Sequence, residues 1–344
     1  MLGIPVACTW GALDLMNHDD PLMAGGFGTH GTRAANFTVQ NADLILALGS
    51  RLDTKATGTP SHFAREAKVC MVDIDQAEID KFQKLNLKVI GINQDVGTFL
   101  SGKESWWVID RDWSKQVQKW KKQYPVPTTK PYLLMQELGK WTTPDDIIVT
   151  DTGCAVGWVC QGFPFKGERL IHAWNMTPMG YGLPAAIGAS LATGKRVLLI
   201  TGDGSSLMSL GELATLARWK LPVKIVLLDN QGHAMCRQTQ RQWLGGEYVS
   251  TSLEGGLGFP NWTKCAESFG IPSLWVNDDY PVVMDHRVFP MLNREGPVFL
   301  QADIDPDEGI TPQAKYGQPI EDADPQLPWE ELKRNMIIPP LERT

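Results

Sequence analysis

Acidic and amide side chains follow two neighbouring apolar runs in the second half of the sequence. The run VLLIT leads into the polar turn GDGS at residues 202–205, and the run IVLLD leads into NQG at residues 230–232. Because the carboxyl ends of parallel strands lie at one edge of a sheet, where α/β folds bind ligands, we expect the two turns to lie close together. Asp203 offers a carboxylate oxygen and Asn230 an amide oxygen, and Mg²⁺ prefers oxygen ligands. The two turns therefore predict a magnesium site.

Gly204 and Ser205 extend this prediction from a cation to a phosphate. They stand at the start of a predicted helix, whose first N–H groups attract anions. A metal ion beside a phosphate is the arrangement required by a diphosphate that binds through a divalent cation. A lone GDGS is also a common turn between a strand and a helix, so the prediction depends on the second turn, which follows one helix and one strand later.

The elements that position these turns are apolar runs that alternate with helix-compatible stretches. This alternation predicts an α/β fold with two domains built on parallel sheets. The predicted strands lie at residues 3–9, 43–50, 68–75, 88–93, 145–151, 169–174, 196–204, 223–230, 273–276 and 297–304. The predicted helices include residues 32–41, residues 76–84, and one after GDGS with Leu207, Leu210, Leu213 and Ala217 on one side. The near-continuous apolar strands of the second series indicate a sheet covered on both faces.

Composition shifts divide the chain into four segments. We predict a first α/β domain over residues 1–102, a linker over 103–130, a second α/β domain over 131–318 and an extended, proline-containing tail over 319–344. The first strand, at residues 3–9, is typical of a sheet interior, and no earlier element can pair with it. Because an open sheet edge is a liability, we expect another chain to cover it.

The overall composition excludes several classes of protein. The 344 residues include 32 Lys and Arg against 39 Asp and Glu, a net charge of −7 without the basic stripe of a nucleic-acid-binding protein. No window reaches the roughly 18 apolar residues of a membrane span. The first basic residue is Arg33, so we predict a cytoplasmic protein without a signal sequence. The six cysteines form no C-x-x-C pair, and we interpret Cys154 and Cys160 as buried structural thiols.

The segment GFGTHG, at residues 26–31, satisfies the dinucleotide pattern G-x-G-x-x-G. The polar stretch NHDDPLMAG precedes it where that motif requires a strand, so we reject an NAD fingerprint and with it a nicotinamide-dependent dehydrogenase. We interpret His172 and Trp174 as parts of a strand interior. The stretch that follows NQG contains polar and aromatic residues that could equally well cap a substrate pocket or lie on a surface helix. They are Arg237, Arg241, Gln242 and Trp243.

Beyond these motifs, the sequence resembles the thiamine-diphosphate enzymes of the acetolactate synthase family. The resemblance covers nearly the whole chain, and it is most specific in residues 202–235 and 175–192, with further support from residues 25–53 and 71–79. It implies a thiamine-diphosphate-binding fold for the second domain. For the first domain it implies an incomplete central domain of the FAD type.

Transferred position by position, the resemblance implies ligands for thiamine diphosphate and Mg²⁺. The implied residues are Asp203, Asn230 and the carbonyl of Gly232 at the metal, and Gly204, Ser205, His233 and Met235 along the cofactor. Thr177 would accept a hydrogen bond from the aminopyrimidine and Met179 would wedge beneath that ring, which makes these two the candidate catalytic residues. A methionine is more often a core residue, so only the matched segment favours this role for Met179.

In the first domain, the resemblance implies an FAD site. The residues that would border it are His30, Gly31, Thr32, Arg51, Asp73 and Asp95. The sequence departs from the family here, because NQD at residues 93–95 stands where the family has Gly-Asp, and the first strand and helix of the domain have no counterpart. FAD is therefore a candidate cofactor beside thiamine diphosphate and Mg²⁺.

The resemblance also implies an activity and a partner. The chain would be one subunit of a carboligase or lyase that decarboxylates a 2-oxo acid such as pyruvate and transfers the acyl carbanion to a keto acid or keto-sugar acceptor. No segment matches the family's pyrimidine-binding domain and its Glu, so we expect a separate chain to supply both, in a heterotetramer. The alternative is a non-catalytic binding or regulatory subunit that retains the fold.

Overall fold

The computed structural model describes residues 3–84, 89–101, 111–277, 286–315 and 317–343. The chain divides into two compact units. Unit 1 comprises Met1–Trp10, Asp19–Pro125 and Thr311–Thr344, and unit 2 comprises Gly11–His18 and Val126–Ile310. The sheets of the described residues are all parallel, which confirms the predicted α/β fold class. Within the same residues, no helix combines the length and apolar character that a bilayer crossing requires.

Each of the ten predicted strand runs contains a strand, although residue 88 of the fourth run lies outside the described residues. The strands are β1 (Val6–Cys8), β2 (Met23–Gly26), β3 (Leu44–Leu48), β4 (Lys68–Asp73), β5 (Val89–Asn93), β6 (Ile147–Thr150), β7 (Arg169–Ile171), β8 (Val197–Gly202), β9 (Val223–Asp229), β10 (Ser273–Val276) and β11 (Val298–Asp303).

The helices lie mainly between the strands, and those predicted at residues 32–41 and 76–84 are confirmed. The helices are α1 (Arg33–Gln40), α2 (Thr54–Thr57), α3 (Gln76–Lys84), α4 (Val96–Leu100), α5 (Arg111–Gln123), α6 (Lys130–Trp141), α7 (Cys154–Gly162), α8 (Gly182–Thr193), α9 (Asp203–Met208), α10 (Leu213–Trp219), α11 (Ala234–Trp243), α12 (Trp262–Ser268), α13 (Val288–Leu292) and α14 (Trp329–Asn335).

Unit 1 contains two parallel sheets, one of β1 and β2 and one in the order β3-β4-β5. Its core combines β3 and β4 with α1 and α3, through buried side chains such as Val39, Val69, Met71 and Phe82. The predicted linker begins at residue 103, and residues 103–110 of it lie outside the described residues. Its continuation forms α5, whose Trp120 is buried against Phe37 of α1.

The C-terminal segment differs from the extended tail predicted for residues 319–344. It contains α14, and Leu332 of that helix packs in one cluster with Phe37 and Trp120. The Asn335 side chain accepts a hydrogen bond from Trp120 Nε1 at 2.9 Å, and its backbone oxygen accepts one from Asn41 at 3.0 Å. Prolines suggested an extended chain, but a proline is tolerated at the start of a helix, where its missing N–H costs nothing.

Unit 2 is built on a six-stranded parallel sheet in the order β10-β11-β9-β8-β6-β7. The chain runs outward from β6 to β7, returns to β8, and then continues to the opposite side. The carboxyl ends of β6 and β8 therefore flank a topological switch point, the position where open α/β sheets bind ligands. Residues of β8 and β9 are almost fully buried, as expected for a parallel sheet with helices on both faces.

A strand precedes the G-x-G-x-x-G segment, so the reason given for rejecting that motif was wrong. Strand β2 is four residues long and pairs with β1. Its sequence MAGG contains no β-branched residue, which explains why the pattern did not reveal it. The glycines serve the packing of the loop itself, because a Cβ on Gly28 would collide with the backbone of Lys55. The resemblance to a dinucleotide motif thus has a structural explanation.

The single helix predicted after GDGS is divided in the structure. Helix α9 ends at Met208, a 3₁₀ turn spans Leu210–Glu212, and α10 follows. The break falls at Ser209, which leaves helical geometry with φ −127°. Asp203 is the first residue of α9 rather than part of the preceding turn, and it is only 1% exposed.

We predict that Gly188→Ala stabilises the protein by roughly 0.5–1 kcal/mol. Gly188 lies on the exposed side of α8, and a Cβ built there meets no atom within 4 Å. Alanine would therefore restrict the unfolded chain without a clash in the folded one. Denaturant unfolding measures the change, and a lower free energy of unfolding in the variant would contradict the open environment of this position.

Candidate functional site

A cavity lies at the carboxyl edge of β6, β8 and β9, at the switch point of the unit 2 sheet. About 610 Å³ of space, including the solvent at its mouth, lies between the residues that line it. The lining includes eight of the nine residues predicted for the metal, the cofactor and catalysis in this unit: Asp203, Asn230, Gly232, Gly204, Ser205, His233, Met235 and Met179. The ninth, Thr177, lies in the same loop as Met179 but does not line the cavity. The structure therefore brings the two polar turns together.

Asp203 sits at the carboxyl end of β8 with its carboxylate turned toward the second polar turn. Oδ1 accepts a hydrogen bond from Gly204 N at 2.6 Å, and Oδ2 accepts one from Gly232 N at 3.1 Å. Burial, followed by the negative charge of Asp229, raises the pKa of Asp203 far above its ordinary value of 3.8. Two adjacent buried carboxyl groups disfavour ionisation unless a cation lies beside them. This pair is therefore suited to a metal ion.

The turn that follows β9 supplies the other oxygen atoms. Its middle residue, Gln231, has φ +54°, a left-handed conformation that is uncommon outside glycine and that clusters at functional sites. Arg237, 5% exposed, donates from Nη2 to the backbone oxygen of Asn230 at 3.1 Å and to its Oδ1 at 3.5 Å. A Cβ on Gly232 would collide with the Thr251 carbonyl oxygen. The turn is therefore fixed by the Arg237 hydrogen bonds at Asn230 and by close packing against Thr251 at Gly232.

The oxygen set of the two turns fits Mg²⁺. It combines a carboxylate with an amide and backbone carbonyls, all hard oxygen donors. The described residues contain no group of three or more His, Cys, Asp or Glu side chains placed to hold a metal ion. A nitrogen- or sulfur-rich site such as those of zinc is therefore not present among those residues, whereas a magnesium site that is completed by phosphate and water needs only a few protein ligands.

The residues predicted along the diphosphate lie on the first turns of α9 and α11. Gly204 and His233 are in close contact, because a Cβ on Gly204 would collide with the imidazole ring. Burial, followed by the charge of Arg237, lowers the pKa of His233, so the ring is neutral at neutral pH and can donate one hydrogen bond. Gly204 N donates to Asp203 and is therefore not available to a phosphate. Ser205 and the His233 ring line the cavity and can donate to one.

The segment with Thr177 and Met179 approaches the cavity from the loop before α8. Thr177 has φ +44°, which is a strained conformation for a β-branched residue. A Cβ on Gly204 would lie 3.1 Å from Met179 Cε, which places the methionine against the start of α9. Two backbone N–H groups of this loop donate to Asp151, the residue that follows β6.

The six residues predicted for FAD all belong to unit 1. Arg51, Asp73 and Asp95 follow or end the three strands β3, β4 and β5, so they lie at one edge of that sheet. Each has a local interaction: Arg51 pairs with Glu78 at 2.9 Å, Asp73 accepts from Asp75 N at 2.9 Å, and Asp95 caps α4 by accepting from Thr98 N at 2.8 Å.

The other three lie at the start of α1. Thr32 is the N-cap of that helix, and Gly31 N donates to the Gly28 oxygen at 2.9 Å. His30 contacts the Trp10 ring, with centroids 5.3 Å apart, and its Nε2 lies 3.0 Å from Gln313 Nε2. Burial, followed by the charge of Lys55, lowers the pKa of His30 to about 4, so the ring is neutral.

The remaining candidates separate into buried and exposed groups. Cys154 and Cys160 are buried in α7, and burial raises the pKa of both thiols, to about 12 for Cys154, which agrees with a structural role. Cys154 also lines the cavity. His172 follows β7 rather than lying inside it, and its Nδ1 is 2.7 Å from the Thr150 oxygen. Arg241 is exposed and lies 3.5 Å from Asp307.

The sequence reasoning missed two buried residues next to the site, Asp151 and Asp229. It named Arg237 but not the contact by which Arg237 holds Asn230. Asp151 and Asp229 each stand at the carboxyl end of a predicted strand, as Asp203 does, so the same signal could have found them. Arg237 carries no such signal, because its contact with Asn230 depends on how α11 packs against the preceding turn.

Comparison with known proteins finds two family domains in the chain. Residues 1–101 match the thiamine pyrophosphate enzyme central domain, and residues 151–302 match the thiamine pyrophosphate enzyme C-terminal TPP binding domain. The acetolactate synthase large subunit of Porphyra purpurea is 34% identical over 326 residues, which are 92% of this chain and 55% of the relative. The acetolactate synthase isozyme 2 large subunit of Escherichia coli (strain K12) is 34% identical over 324 residues, 91% of this chain and 57% of the relative. The chain thus spans a little over half the length of the curated relatives it matches, and the resemblance to this family is confirmed.

Proposed function

Because the chain belongs to the thiamine pyrophosphate enzyme family, we propose that unit 2 binds thiamine diphosphate through Mg²⁺ at the carboxyl edge of β8 and β9. The observation that carries this proposal is the buried Asp203 carboxyl group. It lies beside Asp229, with its pKa raised, in a cavity that also exposes Asn230 and Gly232. Such a group favours a cation, and the adjacent Ser205 and His233 offer hydrogen bonds to phosphate oxygens.

The chain's own residues would hold and orient the cofactor. Asp203, Asn230 and the carbonyl of Gly232 bind Mg²⁺, and Met235 closes the wall of the cavity near His233. Met179, which lines the cavity, would face the pyrimidine ring, and Thr177 lies two residues earlier in the same loop. When bound, thiamine diphosphate supplies the reactive thiazolium carbon that adds to the carbonyl group of a 2-oxo acid. The protein contributes binding, orientation and electrostatics.

We propose an acetolactate synthase-like reaction for the complete enzyme. The donor is a 2-oxo acid such as pyruvate, and the acceptor is a keto acid or a keto-sugar. The relatives that support this proposal are acetolactate synthase large subunits. The acid that contacts the pyrimidine must come from outside the cavity wall, because the described lining contains one carboxylate, Asp203, and no glutamate. We propose a second polypeptide as its source, in a heterotetramer.

FAD is the second proposed cofactor, and its site would be in unit 1. Support comes from the placement of Arg51, Asp73 and Asp95 at one edge of the β3-β4-β5 sheet, where α/β sheets bind ligands. His30 and Thr32 lie at the start of α1, and His30 is neutral and half-buried. Flavin absorbance and native mass spectrometry of the purified protein test this part independently of unit 2.

Calorimetry of the full chain tests the main proposal. We expect thiamine diphosphate to bind in the presence of Mg²⁺ and not in the presence of a chelator, since a cation must offset the negative charges of the diphosphate and of Asp203. Binding that is unaffected by the chelator would rule out the cation-bridged site. Complete absence of binding, with and without partner chains, would favour the alternative of a non-catalytic subunit.

Arg237→Met provides a second measurement at the same turn. Methionine fills a similar volume but cannot donate to the Asn230 oxygens, so the amide loses the contact that orients it. We expect the apparent affinity for Mg²⁺ to fall by roughly 10- to 100-fold, the usual effect of losing a residue that orients a metal ligand. Titration of Mg²⁺ at fixed thiamine diphosphate measures this. Arg241→Met, on the same helix and exposed, is the matched control and should leave the titration unchanged.

A further inference from the structure

The loop before α8 adopts a backbone conformation that its sequence does not favour. Thr177 has φ +44° and Gly180 has φ +81°, so the chain enters left-handed geometry twice within four residues. A threonine in this region is strained, and such strain persists only where surrounding contacts impose it. The Thr177 N–H donates to the Ala173 oxygen at 2.8 Å, which fixes one end of the loop. The other end requires a separate anchor.

Asp151 provides that anchor. It follows β6, is 1% exposed, and accepts three backbone hydrogen bonds. The donors are Thr152 N at 2.8 Å and Gly180 N at 3.2 Å, both to Oδ1, and Gly182 N at 2.8 Å to Oδ2. Among the described residues, no lysine, arginine or histidine forms an ion pair with it. The hydrogen bonds given for this carboxyl group therefore come from backbone N–H groups, two of them at residues 180 and 182.

The loop in turn places Met179 in the cavity. Met179 lines the cavity and directly precedes Gly180, whose N–H donates to the anchor, and its Cε approaches Gly204 at the start of α9. A Cβ on Gly180 would lie 2.8 Å from Met208 Cβ, so the loop also packs on the end of α9. A change in the carboxylate of Asp151 therefore acts on the part of the cavity wall that contains Met179.

We propose that Asp151 is a positioning residue that fixes the Thr177–Met179 loop and thereby sets the affinity of the cavity for the organic part of the cofactor. In the part of the chain that the structure describes, Asp151 forms no hydrogen bond or ion pair with Asp203, Asn230 or Gly232. This inference rests on the proposed function, because it assigns the loop to the thiamine end of thiamine diphosphate. In this proposal, the two polar turns bind the cation and the diphosphate, and the Thr177–Met179 loop contacts the rings of the cofactor.

Two ligands and two variants test this separation. Inorganic pyrophosphate with Mg²⁺ engages only the polar turns, whereas thiamine diphosphate with Mg²⁺ also contacts the loop. In Asp151→Asn, one carboxylate oxygen becomes an NH₂ group that cannot accept from Gly180 or Gly182. By calorimetry we expect roughly a 10- to 100-fold loss of affinity for thiamine diphosphate, with pyrophosphate binding unchanged.

Gly182→Ala keeps the test valid if Asp151→Asn fails to fold. A Cβ at Gly182 lies 2.8 Å from Asp151 Oδ2 and 2.9 Å from Leu199, so it disturbs the same anchor from the other side. Gly188→Ala is its matched control, because it lies in the same helix in open space. Gly182→Ala should reproduce the selective loss, and Gly188→Ala should not.

The outcomes distinguish this inference from the proposed function. Equal losses for both ligands, or no loss for either, would overturn the role of Asp151 while leaving the cation site intact. A wild-type chain that binds neither ligand in a Mg²⁺-dependent manner would overturn the proposed function itself.

Discussion

Asp203→Asn should abolish Mg²⁺-dependent binding of thiamine diphosphate and should make the ligand-free protein more stable at pH 8. Asparagine retains the shape of the side chain but removes the negative charge that a cation requires. We expect the apparent affinity to fall by roughly 100-fold or more, because both a direct ligand and its charge are lost. The gain in stability arises because the variant no longer places two buried carboxylates side by side.

The stability effect has a defined dependence on pH. The folded-state pKa of Asp203 is raised from 3.8 to about 8, first by burial and then by Asp229. Between these two values the folded protein holds a proton that the unfolded chain has released, so the free energy of unfolding of the wild type falls as the pH rises through this window. Asp203→Asn lacks this contribution. The difference between the variant and the wild type should therefore be small near pH 4 and largest near pH 8.

Urea unfolding at pH 5 and pH 8, in a chelator and in excess Mg²⁺ with thiamine diphosphate, measures both effects. Asp145→Asn is the matched control, because Asp145 lies in the same unit with its side chain 94% exposed. It should change neither binding nor the pH dependence. A wild-type protein whose stability does not decrease between pH 5 and pH 8 without metal would contradict the raised pKa. Retained Mg²⁺-dependent binding in Asp203→Asn would remove Asp203 from the metal site.

The location of the site could be predicted because it depends on local signals and one general rule. The apolar runs before Asp203 and Asn230 indicate strands from their own sequence, and parallel strands place their carboxyl ends at one edge. The prediction used the alternation of strands and helices but not the helix boundaries, so the division of the helix after GDGS into α9 and α10 did not affect the result. The site follows from the ends of β8 and β9, which the sequence marks clearly.

The residues that shape the site could not be predicted in the same way. The orientation of Asn230 depends on Arg237, seven residues later, and the conformation at Thr177 depends on Asp151, twenty-six residues earlier. Such contacts exist only after tertiary packing. Local preference even argues against the observed backbone, since threonine rarely adopts positive φ. The sequence shows which polar side chains are available near the site. Only tertiary packing determines which backbone or side-chain atoms they contact.

Unit 1 shows the limits of composition as a guide to structure. Strand β2 escaped prediction because MAGG lacks β-forming residues, yet it pairs with β1 through its backbone. The segment after residue 319 contains prolines that suggest an extended chain. Helix α14 nevertheless forms, because Leu332 and Asn335 gain apolar and hydrogen-bonding contacts with Trp120. In both cases long-range contacts outweighed local preference.

Gly232→Ala should eliminate Mg²⁺-dependent binding by a steric route rather than by a change of charge. The added Cβ would collide with the backbone oxygen of Thr251 and would lie 2.9 Å from Arg237 Nη1. A backbone atom cannot move aside as a side chain can, so the turn itself must shift and Gly232 N must leave Asp203. We expect loss of cofactor binding in calorimetry and a decrease in the free energy of unfolding of about 1–3 kcal/mol.

Two further glycine variants turn this expectation into an ordered test. Gly204→Ala would collide with the ring of His233, a side chain that can rotate, so its loss of affinity should be smaller than that of Gly232→Ala. Gly211→Ala meets no atom within 4 Å and should bind as the wild type does. This order follows if the 230–232 turn anchors the cation. If Gly204→Ala proved the more damaging, the diphosphate would depend mainly on His233 and the start of α9, and the metal would have to be bound elsewhere.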